Sequence, residues 1–216
     1  MDFKRAIEFV TKDPDWIKKC FMAGLPIIVP IAGILALFGW QRRIFDSVRQ
    51  GQEGLPDPSF VEDMKYGIDP VIALLNPFPI VFLLAALLFG VPAVIMVIGG
   101  SIGGDAGSAV AMVGTLLNIG AMLIFGLVAL AMNIIMPEMI RRGFRGERFP
   151  LFSPGASIAS IRANVMPYVM LIVAAIAANF VGGLGQILCC VGLFLTVPAA
   201  NAFYSHMLAQ WDEKVG

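Results

Sequence analysis

One long stretch without charge decides the class of fold, and it reads AGSAVAMVGTLLNIGAMLIFGLVALAMNIIMP from Ala106 to Pro137. A helix needs about 20 apolar residues to cross the hydrocarbon core of a bilayer, so this stretch allows one crossing with residues to spare. Further charge-free runs lie at 20–41, 70–104 and 163–211. Charged residues make up 14% of the chain, against about 25% in soluble domains. The sequence therefore predicts a polytopic all-α membrane protein.

We expect one membrane domain over residues 1–216, with about five hydrophobic segments and short surface helices in the two long loops. The segments are 20–40, 71–98, 108–136, 163–181 and 186–209. Residues 1–13 have the pattern of an amphipathic helix, with Phe3, Ile7 and Val10 on its apolar side. Such a helix either lies in the membrane interface or packs on the bundle as a surface helix.

The first segment allows two interpretations. Pro26 and Pro30 lie inside it, so it can be a re-entrant hairpin. Trp16 and Trp40 flank it 24 residues apart, about 36 Å along a continuous helix, which suits two interfacial aromatic belts. Five full crossings would place the basic N-terminus opposite the C-terminus, whereas a hairpin would place both on one side.

A glycine-rich stretch, IGGSIGGDAGSA (Ile98–Ala109), resembles a phosphate-binding loop only superficially. A P-loop needs Lys and Ser or Thr after its last glycine, but Asp105 follows here and apolar segments flank the stretch. Small residues four apart instead let two helices approach closely in lipid. We predict a tight hairpin on the outer face, with helix packing at Gly99, Gly100, Gly103, Gly104 and Gly107.

An Arg-Arg-x-Phe motif occurs twice, at 42–45 after the first segment and at 141–144 after the third. An arginine follows seven residues after the first of each pair. The motif predicts a repeated helix–loop–helix unit whose two loops lie on the same face. Because cytoplasmic loops are enriched in Lys and Arg, we expect the long loops and the C-terminus in the cytoplasm.

The arginines of these loops are the predicted contacts for anionic lipids or for a partner, at about 1 kcal/mol per charge near the surface. They are Arg42, Arg43, Arg49, Arg141, Arg142, Arg145 and Arg148. They could instead only fix topology. The loop at 41–69 is acidic and the loop at 138–162 is basic, so we expect the two loops to pair with each other.

Amide side chains inside the hydrophobic segments are the other candidates, because polar groups are costly in hydrocarbon. They are Asn118, Asn133, Asn179, Asn201 and Gln186. They predict interhelical hydrogen bonds or, alternatively, a polar path through the bundle.

Enzyme activity is not expected from this sequence. The single histidine, His206, lies beside Tyr204 and Trp211 in what looks like an interfacial, polar C-terminal tail, and no catalytic triad or carboxylate pair accompanies it. Cys20, Cys189 and Cys190 have apolar neighbours and no metal-ligand spacing. We expect no cofactor, and zero net charge argues against nucleic acid as a partner.

The first third of the chain resembles a prokaryotic membrane family known as domain of unknown function 4013. The resemblance is carried by DPDWIKKC before the first segment and by GWQRRIFDSVRQGQEGLPDPSF after it. The matching residues are Asp15, Trp16, Lys19, Gly39, Trp40, Arg42, Gly51, Leu55, Pro56, Phe60 and Gly67. The resemblance implies a multi-pass protein of the bacterial or archaeal inner membrane, and it carries no known activity.

Two functions fit these features. The first is a non-enzymatic membrane module that organises lipids or a partner complex, with a second copy of the chain or another protein as partner. The alternative is a channel or transporter for a small neutral solute or lipid.

Overall fold

The structure is a computed structural model that describes residues 1–187 and 192–215, without the side chain of Gln186. The described chain is all-helical, as predicted, with helix over 87% of it. The helices are α1 Phe3–Thr11, α2 Trp16–Gly24, α3 Pro30–Arg49, α4 Phe60–Leu75, α5 Phe78–Ile102, α6 Gly104–Phe144, α7 Pro154–Ala163, α8 Val165–Ile187 and α9 Leu193–Val215. Short 3-10 helices at Leu25–Ile28 and Pro150–Phe152 complete them.

The chain divides into two compact units. Unit 1 comprises 1–74 together with 137–216, and unit 2 comprises 75–136. In unit 1, α9 lies at the centre and packs against α1, α2, α3 and α8. In unit 2, α5 and the first part of α6 form a helical hairpin. That the two units act as one membrane domain stays a prediction.

Three helical stretches of the described chain are long and apolar enough to cross a membrane. They are Phe60–Ile102, Gly104–Phe144 and Val165–Gly185. The predicted segments 20–40 and 186–209 are not among them. The first is broken into two helices, and α9 carries polar residues such as Ser205, His206 and Gln210 along its length.

Segment 20–40 turns back on itself. The backbone of Val29 is extended (φ −100°, ψ 100°), which ends the 3-10 helix and begins α3 at Pro30. A side chain at Gly33 would collide with the carbonyl group of Pro26, so the two arms lie in close contact. The 36 Å spacing of Trp16 and Trp40 therefore does not apply, because it requires a continuous helix. Trp40 is fully buried rather than interfacial.

The N-terminal helix packs on α9, which favours the second of its two interpretations. The Asp2 N–H donates to Oε1 of Gln210 (2.6 Å), and Nε2 of Gln210 donates to the Asp2 carbonyl (2.9 Å). Phe3 also contacts Phe203, with 6.0 Å between the ring centroids. The beginning of α1 thus lies beside the last turns of α9. This contact requires both ends of the chain to lie on one side of any membrane that the chain crosses.

The prediction of a polar, interfacial C-terminal tail is wrong. The residues from Tyr204 to Asp212 are all buried, and Trp211 is fully buried. The polar residues of this tail face buried partners in unit 1 instead of water, and this arrangement gives the same amphipathic pattern.

Candidate functional site

The two Arg-Arg-x-Phe motifs meet in unit 1. Residues 42–45 lie near the end of α3, and residues 141–144 form the end of α6. Phe45 and Phe144 occupy the same place in each motif, and their rings contact edge to face with centroids 5.4 Å apart. Each motif is followed by a loop and a further helix, so the predicted helix–loop–helix repeat is present.

Asp212 of α9 binds three arginines from both long loops. Its carboxylate lies 2.6 Å from Nη1 of Arg141, 2.7 Å from Nε of Arg145 and 2.9 Å from Nε of Arg49. Only 1% of the Asp212 side chain is exposed. Charge-assisted hydrogen bonds of this kind are among the strongest in proteins. Asp212 thus joins α3, α6 and α9.

Glu138 provides the second buried carboxylate. Arg141 donates to both of its oxygens (2.6 and 2.8 Å), Trp211 donates from Nε1 (2.8 Å), and Ser160 donates from its hydroxyl (3.1 Å). Together with Asp212 and its three arginines, Glu138 forms what we call the arginine–carboxylate cluster: Arg49, Glu138, Arg141, Arg145 and Asp212. Glu138 accepts four hydrogen bonds, so few of its acceptor positions remain for a substrate.

Arg142 holds the loop after α6. Its guanidinium group donates to the carboxylate of Glu147, to the hydroxyl groups of Ser153 and Ser157, and to the carbonyl of Pro150. In the first repeat, Arg43 takes the equivalent role. It donates to one oxygen of Asp63 (2.8 Å). The other oxygen of Asp63 accepts a hydrogen bond from the backbone N–H of Ser59, just before α4.

The predicted pairing between the two loops is confirmed at Asp69. Its carboxylate binds Arg42 of its own loop (2.9 Å) and Arg148 of the other loop (2.7 Å). The seven predicted arginines therefore all lie in unit 1 and all pair with carboxylates. They differ in exposure: 9% of the Arg141 and Arg142 side chains is exposed, but 58% of Arg148. Contact of these arginines with lipid or a partner stays a prediction.

A second polar centre forms at Asp13, before α2. Burial alone would raise the pKa of Asp13, but hydrogen bonds from Lys19 and from the backbone N–H groups of Leu55 and Asp15 hold that pKa below its usual value. Lys19 also donates to the Leu55 carbonyl (2.7 Å). Burial raises the pKa of the nearby Cys20 thiol to about 12, so this thiol stays protonated.

The predicted glycines have different roles in unit 2. Gly103 and Gly104 form the turn between α5 and α6, with φ values of 70° and 62° that favour glycine. A Cβ on Gly99 would lie 2.8 Å from the carbonyl oxygen of Gly107, so only glycine allows this approach. Gly100 faces open space.

Two of the predicted amides bond within their own helices, and a polar path through the bundle stays a prediction. Asn133 and Asn179 are exposed, and each donates to the carbonyl four residues earlier in its own helix (both 2.8 Å). Asn118 and Asn201 are half-buried. The side chain of Gln186 lies outside the described part of the chain, as do Cys189 and Cys190.

Sequence reasoning missed the carboxylates that organise the site: Glu138, Asp212, Asp69 and Asp13. One signal was present. The loop at 138–162 has five basic residues and two acidic ones, so buried arginines there needed carboxylates from elsewhere. His206 was misplaced, because it is 1% exposed in the core and not interfacial.

Taken together, the long apolar helices and the paired charges define an all-helical protein with candidate membrane spans and no metal-binding group of three or more His, Cys, Asp or Glu among residues 1–187 and 192–215. The profile of the family "Protein of unknown function (DUF4013)" matches residues 22–191, and the chain belongs to this family. No curated protein and no solved structure matches the chain.

Several residues that carry this resemblance hold the loop after α3 in place. Trp40 donates from Nε1 to the Pro56 carbonyl (3.0 Å), and Lys19 binds the neighbouring carbonyl of Leu55. Gly39 and Gly67 let α3 and α4 touch through their backbones, because a Cβ on Gly39 would lie 2.8 Å from the Gly67 nitrogen. In this chain these residues are structural.

Proposed function

We propose that this protein is a non-enzymatic module of the prokaryotic inner membrane that organises anionic lipids or a partner complex on its cytoplasmic side. One observation carries the proposal: the arginine–carboxylate cluster, which is largely buried, joins both long loops and α9 and so orders the surface that these elements form. A buried network of paired charges resists rearrangement, because removal of one charge leaves its partner unpaired. Such a surface suits a docking platform better than a moving gate.

Two accessible arginines of the loop at 138–162 define the docking surface. Arg148 is 58% exposed despite its pair with Asp69, and Arg162 at the end of α7 is exposed as well. Arg141 and Arg142 are buried in ion pairs and contribute mainly to the fold. A cation near an anionic membrane surface is worth about 1 kcal/mol, or about fivefold in affinity.

Lipid retention tests this proposal directly. The double variant Arg148→Gln/Arg162→Gln, in nanodiscs of mixed phosphatidylglycerol and phosphatidylcholine, should retain several-fold less phosphatidylglycerol by native mass spectrometry. The matched control Arg148→Lys/Arg162→Lys keeps both charges and should retain lipid as the unmodified chain does. Capture of a partner protein through the same surface should also decrease in the glutamine double variant and stay unchanged in the lysine control. Equal lipid and partner retention by all three proteins would contradict the proposal.

Flux measurements separate the platform from a transporter. We expect no solute flux in proteoliposomes, and the hydrogen bonds of Asn133 and Asn179 within their own helices support this expectation. Flux of a small neutral solute that disappears on Asn133→Leu would show that the chain is a transporter instead.

A further inference from the structure

A cleft of about 440 Å³ lies in unit 1, away from the arginine–carboxylate cluster. Its walls are α1, the residues just before α2 and the loop after α3, and the buried His206 of α9 also lines it. Small-molecule sites typically occupy about 300–1,000 Å³, so the cleft has room for a small ligand.

The walls of this cleft are fixed in advance. Gln210 binds both backbone groups of Asp2 and so attaches α1 to α9, and Phe9 contacts His206 with ring centroids 4.9 Å apart. On the other side, Asp13 binds the Leu55 N–H (2.8 Å) and holds the loop after α3. A preformed site loses less conformational entropy when a ligand binds.

The hydrogen bonds of Gln210 determine which nitrogen of His206 carries its proton. Oε1 of Gln210 accepts from Asp2, so the Nε2 amide group must donate both to the Asp2 carbonyl and to Nδ1 of His206 (3.0 Å). Nδ1 is therefore an acceptor, and the proton of the neutral ring lies on Nε2. Burial, with a smaller effect from Arg5, lowers the pKa of His206 to about 4, so the ring is neutral at physiological pH.

Charges in the cleft do not all cancel. Lys12 pairs with Glu8 (2.8 Å), and Asp13 pairs with Lys19 (2.9 Å). Arg5 and Glu53 also line the cleft, and neither forms an ion pair with any described residue. The cleft thus offers a cation on α1 and an anion on the opposite loop that form no ion pair, although the carboxylate of Glu53 interacts with the charge of Lys12 at longer range.

We propose that this cleft binds a small zwitterion that carries a phosphate and a primary ammonium group. Its phosphate would bind Arg5, with the protonated nitrogen of His206 as a neutral donor, and its ammonium group would bind Glu53. Phe9 and Val48 provide apolar contacts for the methylene groups between them. The same chemistry occurs in free O-phosphoethanolamine and in the headgroup of phosphatidylethanolamine.

The single histidine of the chain allows a direct test, because ¹⁵N-histidine labelling gives one reporter in the cleft. Titration of the full chain in maltoside micelles with O-phosphoethanolamine should shift this signal saturably. Arg5→Gln and Glu53→Gln should each weaken binding about tenfold or more, since each removes a charge-assisted contact. The control Lys4→Gln removes a cation on the same helix that is 84% exposed and does not line the cleft, so it should bind normally.

Inorganic phosphate alone and ethanolamine alone should bind more weakly than the joined molecule. No saturable shift, or a shift that neither Arg5→Gln nor Glu53→Gln alters, would overturn the proposal. Nanodiscs with phosphatidylethanolamine distinguish the two sources. A bound-state signal without added ligand identifies the lipid headgroup, and a free-state signal that moves only on addition of O-phosphoethanolamine identifies the soluble molecule. Binding here does not require the lipid platform, because the micelle titration contains no bilayer and the variants leave Arg148 and Arg162 unchanged.

Discussion

The two units of the chain are built by different physical means. Unit 2 has one charged residue, Asp105, in residues 75–136, and its helices meet through glycine backbones and an edge contact between Phe89 and Phe125. Unit 1 contains all the ion pairs found in the described chain. Close backbone packing suffices where lipid surrounds the helices, whereas buried charges specify which loops and helices meet in unit 1.

Topology gives the sharpest test of this difference, because the result is all or none. Asp2 binds Gln210 in unit 1, so Lys4→Cys and Lys214→Cys should both react with an impermeant thiol reagent from one side of the membrane. Ser101→Cys, next to the turn of unit 2, should react from the other side. Reaction of Lys4→Cys and Lys214→Cys from opposite sides would show that an odd number of segments crosses the bilayer and that Asp2 does not contact Gln210 in the membrane.

Loss of one charge should affect unit 1 strongly. Asp212→Asn leaves Arg141, Arg145 and Arg49 without their shared carboxylate, and breaking a buried pair costs about 3–5 kcal/mol. Tryptophan fluorescence reports this directly, since Trp40 and Trp211 are buried in unit 1. The control Asp105→Asn removes the one charge of unit 2, which makes no ion pair with a described residue, and should leave the unfolding temperature unchanged. Similar unfolding temperatures for both variants would show that the cluster adds little.

Unit 2 should respond to volume instead of charge. Gly99→Val places a side chain against the backbones of Gly107 and Ala111, and overpacking of this kind costs about 1–3 kcal/mol. Gly100→Val is the matched control, because no atom lies within 4 Å of its Cβ position. Thermal unfolding in detergent should separate the two variants. Equal stability would mean that the α5–α6 contact is not tight.

A weaker effect is expected from pH in unit 1. The pKa of His206 falls from its usual 6.5 to about 4 on folding, so the unfolded chain binds a proton that the folded chain excludes. Stability should be complete above about pH 6.5 and should decrease as the pH falls toward about 4. His206→Gln should remove this part of the pH dependence in thermal unfolding. If the unfolding temperature of His206→Gln depends on pH as that of the unmodified chain does, the pH dependence arises from other groups.

The sequence predicted what depends on composition and local pattern. The apolar runs after Phe60, Gly104 and Val165 are candidate spans, and the two Arg-Arg-x-Phe motifs mark segments that meet in unit 1. The sequence did not predict the position of α9. A helix whose polar side faces water and a helix whose polar side faces buried charged groups have the same amphipathic pattern, so Asp212 and His206 fit both. Only the tertiary arrangement shows that the polar side of α9 faces arginines.

Contacts between residues that are far apart in the sequence could not be predicted either. Asp69 and Arg148, or Trp211 and Glu138, are far apart in sequence, and charge counts indicate that two loops attract each other without indicating which residues meet. For a similar reason the sequence left two interpretations of segment 20–40, a crossing helix and a re-entrant hairpin. Pro26 and Pro30 allow a turn, and the contact of Gly33 with the chain before Val29 shows that the segment bends there. That it is re-entrant in the membrane stays a prediction.

The central position of α9 also sets the order in which unit 1 can assemble. Helices α1, α2 and α3 are synthesised before α9, yet all three pack on it. During translation the sides of these helices that face α9 have no partner until residues from Leu193 onward have left the ribosome. The helices of unit 2 face no such delay, because α6 follows α5 directly. In this protein the hairpin of unit 2 can therefore form during insertion, whereas unit 1 closes only as its last helix arrives.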